Sequence, residues 1–401
     1  MNHKITTLSL IALASAFSSF AVKEKPKSDL LLRGNFDNCR LVFEKEKKGH
    51  VAFMGGSITE MNGYRPILWE WLQKRFPKTE FTFTNAGISS TCSTTGAFRL
   101  QRDVLDHGPV DLFFVEFAVN DDQDAGHSRE AAQRGMEGII RHVRAHNPNA
   151  DVIVTYFVNP GMLKQLQEGK QPLPMAAHQE VLDHYGVSAV HLAKELADRI
   201  EAGTFTWSKF GGTHPKKPGN QLAADLSVSM LENSWISLGR KRPLAKKAVP
   251  HPVPEKLFNP HSYVKGRFLS PEKAKLEGGW KWSEPEWKKL SGGKRGRYLG
   301  KPLLHTQKPG STAKLDFEGS AIGAFVLAGP DAGILKFDID GKVKGTVTLG
   351  HRYSRGLHYP RSVMFAHDLK PGKHTISLTL SEKGKIEGKI SAARILQFCV
   401  N

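Results

Sequence analysis

Cysteine is scarce in this chain of 401 residues: Cys39, Cys92 and Cys399 are the only three. Three cysteines close at most one internal disulfide, which excludes a small scaffold stapled by bridges. Their spacing does not fit a structural zinc site either. The histidines include His127, His142, His146, His178, His184 and His191, yet none falls into a metal motif such as His-Glu-x-x-His. They read as solvated helix and loop histidines. No glycine-rich nucleotide fingerprint follows a strand pattern, and there is no convincing repeat. Neither a metal nor a cofactor is therefore expected. Long apolar runs are missing beyond the N-terminus, so no transmembrane segment is expected. The one exception is the uncharged stretch Ile5–Phe20 behind Met-Asn-His-Lys, ending in Ser19-Phe20-Ala21. This pattern reads as a signal peptide over residues 1–21, cleaved after Ala21. The expectation is an exported protein: periplasmic, cell-surface or extracellular.

Hydrophobic residues at 39% and charged residues at 24% belong to a globular protein, and the length calls for two domains. Charge is unevenly placed. Of 57 basic and 39 acidic residues, 30 and 13 follow position 240, a net of +17 there against +1 before it. A basic C-terminal part attracts polyanions, although a merely solvated basic surface fits as well. Export makes nucleic acid an unexpected partner, which leaves acidic polysaccharide or an anionic surface.

Apolar runs at His50–Met54, Glu80–Ala86, Asp111–Phe117, Asp151–Phe157 and Val187–Val190 alternate with helical spacing at Tyr64–Arg75, Thr95–His107, Arg129–His146 and Met175–His184. Alternation of this kind predicts parallel βαβ units in a three-layer α/β/α sandwich. Residues 241–261, rich in proline and lysine, read as a linker or extended strap. Beyond them, strand patterns at Ala313–Phe317, Ala321–Leu327, Gly333–Ile339, Val343–Leu349, Ser362–His367, Thr375–Leu380 and Ala392–Val400 are separated by turn signals, Lys383-Gly384 among them. They predict an antiparallel β-sandwich over residues 262–401.

Four segments carry chemistry. Gly55-Gly56-Ser57-Ile58-Thr59 follows the first strand pattern, where a serine suits either a helix N-cap or a nucleophile. Asn85-Ala-Gly-Ile-Ser-Ser90 follows the second strand. Val119-Asn120-Asp121 follows the third. Thr213-His214-Pro215 precedes a late helix. In this order and spacing the blocks resemble those of the SGNH hydrolases, also called GDSL-type esterases, across Leu32 to Trp235.

That resemblance implies a flavodoxin-like SGNH hydrolase domain over residues 22–240. It implies Ser57 as nucleophile and His214 as general base. The oxyanion hole would consist of the Ser57 and Ser90 backbone N–H groups and the Asn120 amide. Ser90 stands where the family usually has glycine, and Gly56 where many members have aspartate. Gly211 replaces the usual acid three residues before the histidine. A triad acid fixes the imidazole tautomer, and its loss can cost on the order of 10⁴-fold in rate, so the third member is open, with Glu60, Asp121 and Asp122 nearby in the motifs. Arg65 is read as a substrate contact, with a structural salt bridge as the alternative. Trp280, Trp282 and Trp287 are candidates for stacking on sugar rings, or for packing in the linker. The expected function is an exported serine esterase that removes O-acetyl groups from carbohydrate, in particular an acetylated and anionic polysaccharide bound with help from the sandwich. The alternatives are a lipid or thioester hydrolase of the same superfamily and a catalytically dead glycan-binding protein. No oligomeric state can be read from the sequence.

Overall fold

The computed structural model describes residues 29–237, 239–382 and 391–401. The five apolar runs of the N-terminal half become β2 (Lys48–Gly55), β3 (Glu80–Gly87), β4 (Leu112–Glu116), β5 (Asp151–Thr155) and β6 (Ser188–Val190). They lie parallel in the order β3-β2-β4-β5-β6. Continuous apolar sequence suits strands covered on both faces, and β4 and β5 are buried at every position. A short strand not foreseen in the sequence, β1 (Leu30–Leu31), pairs antiparallel with β6 at the sheet edge. Helices Tyr64–Arg75 and Arg129–His146 cover the residues that their spacing predicts. The other two form at Ser93–Asp103, followed by a short 3-10 turn, and at Leu173–Tyr185. Helices on the two faces complete an α/β/α fold.

Residues beyond the sheet run as a strap along this domain, not as a free tether. The buried Glu137 carboxylate accepts the N–H groups of Phe258 (2.6 Å) and Asn259 (2.8 Å) and the Ser262 hydroxyl (2.5 Å). Arg141 and Arg144 donate to the Pro254 and Pro252 carbonyls at 2.7 and 3.0 Å. A two-stranded ribbon, β7 (Ile236–Ser237) and β8 (Arg240–Lys241), precedes the strap.

The C-terminal part is a sandwich of two antiparallel sheets. One contains β10 (Lys275–Glu277), β13 (Thr312–Gly319), β15 (Ile334–Ile339), β16 (Val343–Thr348) and β18 (Gly372–Leu380). The other contains β9 (Arg267–Leu269), β11 (Lys281–Ser283), β12 (Leu303–Thr306), β14 (Ile322–Ala328), β17 (Tyr359–Ala366) and β19 (Ala393–Val400). The turn expected at Lys383-Gly384 lies outside the described residues, as does the segment read as a signal peptide. Between the sheets Leu304, Leu315, Ile339, Ile376 and Ile395 form one apolar core. Trp280 belongs to that core and donates its indole N–H to the Ser311 carbonyl at 3.0 Å. Trp282 packs against the same core, and Trp287 packs beside Tyr298, Leu303 and Leu327. Of the two readings of these tryptophans, burial leaves only packing for Trp280, while Trp282 and Trp287 are half-buried. Ala321, Phe325 and Cys399 of the sandwich are buried in the same cluster as the α/β core. The two parts thus share apolar packing as well as the strap.

Candidate active site

β2 has β3 on one side and β4 on the other, so the crossovers leave it in opposite directions. A crevice forms at the C-terminal ends of such neighbouring strands. Ser57 follows β2 and Asn120 follows β4, which is why two residues far apart in sequence meet there. The turn bearing Ser57 is hung on β4. Glu116 Oε1 accepts the N–H groups of Gly56 (2.9 Å) and Thr59 (3.2 Å) and the Thr59 hydroxyl (2.8 Å). Burial pushes the Glu116 carboxyl up to about 7, because these donors do not offset the loss of water. The glycine at 56 is required by packing. A Cβ there would fall 2.1 Å from Asn120 Oδ1, so an aspartate would displace the Asn120 amide.

Ser90 sits in the left-handed region at φ 72°. The preference of related proteins for glycine here is thus conformational, and serine keeps the backbone at a cost of about 1 kcal/mol. Arg99, fully buried, ties this turn to the sheet. It donates to the carbonyls of Gly55 (2.9 Å) and Ala86 (2.6 Å) and pairs with Asp103 at 3.1 Å. Sequence reasoning missed Arg99; an arginine inside the apolar run Ala97-Phe98-Arg99-Leu100 was the available signal. Among the described residues, neither the Ser57 nor the Ser90 backbone N–H has a hydrogen-bond partner.

Ser57 Oγ lies 2.7 Å from His214 Nε2, a hydrogen bond in which the hydroxyl donates when the ring proton is on Nδ1. His214 is exposed at the start of the Pro215 turn. The buried Asn220 amide donates to the Pro215 carbonyl at 2.6 Å and braces that turn. Nδ1 of His214 has no partner among the described residues. Gly211 has φ 108°, and a Cβ there would lie 2.3 Å from the Lys216 nitrogen. The backbone itself excludes an acid at this position. The three nearby carboxylates are engaged elsewhere. Glu60 accepts the Ser89 N–H at 2.8 Å and binds Arg297. Asp121 accepts from Ser93 N–H and Oγ at 2.8 and 2.6 Å and lies 2.8 Å from His178 Nε2. Asp122 accepts from Asn159 at 2.7 Å.

Arg65 does not face the crevice. It is 1% exposed, and its guanidinium binds the Thr59 and Glu60 carbonyls. The expected substrate contact is corrected to a clamp on the loop after Ser57, because Nε and Nη2 of the buried guanidinium donate to carbonyls of that loop and to Asn62 Oδ1. Beneath Asn120, Asp121 anchors a buried polar cluster. Burial alone would lower the His127 pKa, but the Asp121 carboxylate and then Cys92 raise it to about 10. Cys92, Asp121 and His127 bring their polar atoms within 4.8 Å of one another. The donors from Ser93 and His178 already occupy the Asp121 oxygens. A groove of about 1030 Å³ opens beside His214, between helices Tyr64–Arg75 and Lys217–Ser234, with Met61, Trp71 and Gln221 in its walls. Chemically, a hydroxyl bonded to an imidazole, with spare N–H groups in the same crevice, can perform nucleophilic acyl transfer.

Residues 53–222 match the GDSL-like Lipase/Acylhydrolase family. The chain therefore carries an acylhydrolase domain of that family and is a carboxylic ester hydrolase. The crystal structure of a two-domain esterase (CEX) active on acetylated mannans is similar along nearly the whole molecule. It has a TM-score of 0.72 and 21% identity, and covers 92% of this chain and 96% of the other. The structure of such an esterase co-crystallized with mannopentaose gives a TM-score of 0.72 at 20% identity, with the same coverage. At this identity the likeness establishes the fold, α/β domain and sandwich together. No curated protein matches the sequence.

Proposed function

We propose that this protein is an exported serine esterase that removes O-acetyl groups from a polysaccharide. The observation that carries the reading is the 2.7 Å contact between Ser57 and His214 at the strand-order reversal. Ser57 Oγ attacks the acetyl carbonyl while its proton passes to His214 Nε2. The oxyanion forms beside the Ser57 and Ser90 N–H groups and the Asn120 amide. His214 then returns the proton to the departing sugar oxygen. Water repeats the sequence on the acetyl-enzyme and frees acetate. With no carboxylate at Nδ1 among the described residues, His214 relies on its loop for orientation. Three features favour an acetylated polysaccharide: the apparent export signal, the fused basic sandwich, and the activity on acetylated mannans in the name of a structurally similar esterase.

The test is hydrolysis of p-nitrophenyl acetate and longer acyl esters, together with acetate release from acetylated mannan, by wild type, Ser57→Ala and His214→Ala. Acetate turnover lost in both variants, with release from the polymer, is the expected result. A preference for long acyl chains would replace this reading with a lipid or thioester hydrolase. Inertness towards every ester, with no labelling of Ser57 by a phosphonate, would replace it with a glycan-binding protein.

A further inference from the structure

Both side turns of the crevice are gripped by the sandwich. Two of its loops act as one unit, because Gly293 N–H donates to the Gly356 carbonyl and His358 N–H to the Gly293 carbonyl, each at 2.8 Å. Tyr298, itself buried against Leu303 and Leu327, anchors the first loop. From that loop the Arg295 guanidinium forks onto two consecutive residues. One arm donates to the Ser89 carbonyl at 2.8 Å and the other to Ser90 Oγ at 2.9 Å. Next to it, Arg297 pairs with Glu60, whose other oxygen holds the Ser89 N–H at 2.8 Å. From β17, the buried Tyr359 hydroxyl donates to Asp124 Oδ1, and Asp124 Oδ2 accepts one N–H of the Asn120 amide at 2.8 Å. Arg352 also reaches the Gln123 carbonyl.

We propose that the sandwich completes the catalytic crevice: Arg295 holds the Ser90 turn in its left-handed form, and Tyr359 acts through Asp124 to orient the Asn120 amide. The inference rests on Ser90 and Asn120 as oxyanion donors. A serine at φ 72° relaxes to a commoner backbone shape unless something holds it. A bidentate guanidinium on that residue and its neighbour does so. The Asn120 amide has two orientations, and only one offers N–H to the crevice. Asp124 selects it by accepting the other N–H, and Tyr359 holds Asp124 in place. Oxyanion donors act in the transition state, where losing one costs about 10²–10³ in rate. Loosening them should therefore reduce kcat and spare KM for a small ester.

The experiment compares full-length wild type, Arg295→Ala, Arg295→Lys and Tyr359→Phe on p-nitrophenyl acetate, with thermal unfolding alongside. Ser57→Ala and Asn120→Ala complete the set. In Arg295→Ala and Tyr359→Phe kcat should fall roughly 10–100-fold, as for a donor displaced but not deleted. KM should stay within about twofold. Arg295→Lys, which keeps one donor, should recover part of the loss. Tyr359→Phe should add nothing in an Asn120→Ala background, since the two changes act on one group. Wild-type kcat in both sandwich variants, with Ser57→Ala inactive, would overturn the proposal while leaving the esterase reading intact. Ser57→Ala at the wild-type rate would instead overturn the esterase reading, and the positioning roles with it. Should the wild type refuse the synthetic ester, the rate of phosphonate labelling at Ser57 replaces kcat, with slower labelling expected in both sandwich variants. Equal labelling rates, or an unlabelled wild type, would overturn the proposal.

Discussion

Two glycines at the crevice stand where the resembling family more often carries an acid, and their reasons differ. Gly56 makes room for Asn120, whose Oδ1 lies 2.1 Å from where a Cβ would be. Gly56→Asp should therefore push the amide away and lower kcat by about 10-fold or more, on the scale of a lost oxyanion donor. Steady-state kinetics on a small acetyl ester check this, and an unchanged kcat would mean that Asn120 does not contribute. Gly211 is required by the backbone, at φ 108° and 2.3 Å from Lys216 N. Gly211→Asp should not restore a triad. It should destabilise the fold by about 1–3 kcal/mol, the cost of a strained backbone position, and lower activity. A gain in kcat would show that His214 lacks only a carboxylate. At this scale Ser57, Asn120 and His214 are legible because each sits in a short block at a strand end or before a helix. Arg65 was misread because position along the chain does not reveal which way a guanidinium points.

Elements are legible where burial writes a continuous pattern. The strands of the central sheet and helices Tyr64–Arg75 and Arg129–His146 are long enough for periodicity to speak. The short strands β1 and β9 to β12 are not, since strands of two to four residues owe their shape to the strands they pair with. Between β2 and β4 the deciding contact is a single carboxylate, and it makes the turn sensitive to pH. Burial raises Glu116 from the ordinary 4.5 to about 7. The folded state then holds this proton more tightly than the unfolded chain. Its contribution is fully favourable below about pH 4.5 and is lost as pH rises towards 7. Glu116→Gln keeps an acceptor for Gly56 and Thr59 and cannot ionise. Its melting temperature relative to wild type should therefore improve between pH 5 and pH 8. Parallel melting curves across that range would mean that Glu116 titrates normally. Glu116→Ala should cost about 1–3 kcal/mol at any pH, because buried N–H groups lose their acceptor.

For the whole molecule, the split of charge at residue 240 and the change from alternating to all-β pattern reveal two parts, but not how they are joined. Strap contacts such as Glu137 with Phe258 and Asn259 link residues more than a hundred positions apart, which no local pattern records. The same holds for Arg295 and Tyr359, which meet the crevice only after the sandwich has folded against it. The basic sandwich is therefore packed into the molecule and not merely tethered to it. Removing residues 262–401 would uncover the packing of Phe325 and Cys399 against the α/β core and leave Glu137 without the Ser262 hydroxyl. It would also free both turns beside Ser57. A truncated chain should melt well below the full protein or fail to stay soluble, and any soluble fraction should turn over p-nitrophenyl acetate at least about 10-fold more slowly, the scale set by oxyanion donors. A module that only collects substrate would act differently: its removal would leave small-ester hydrolysis intact and weaken only the salt-sensitive binding of an anionic polymer. Measuring both rates on the truncated chain, at low and at raised salt, separates the two roles. Small-ester turnover at the full-length rate would assign the sandwich to binding alone.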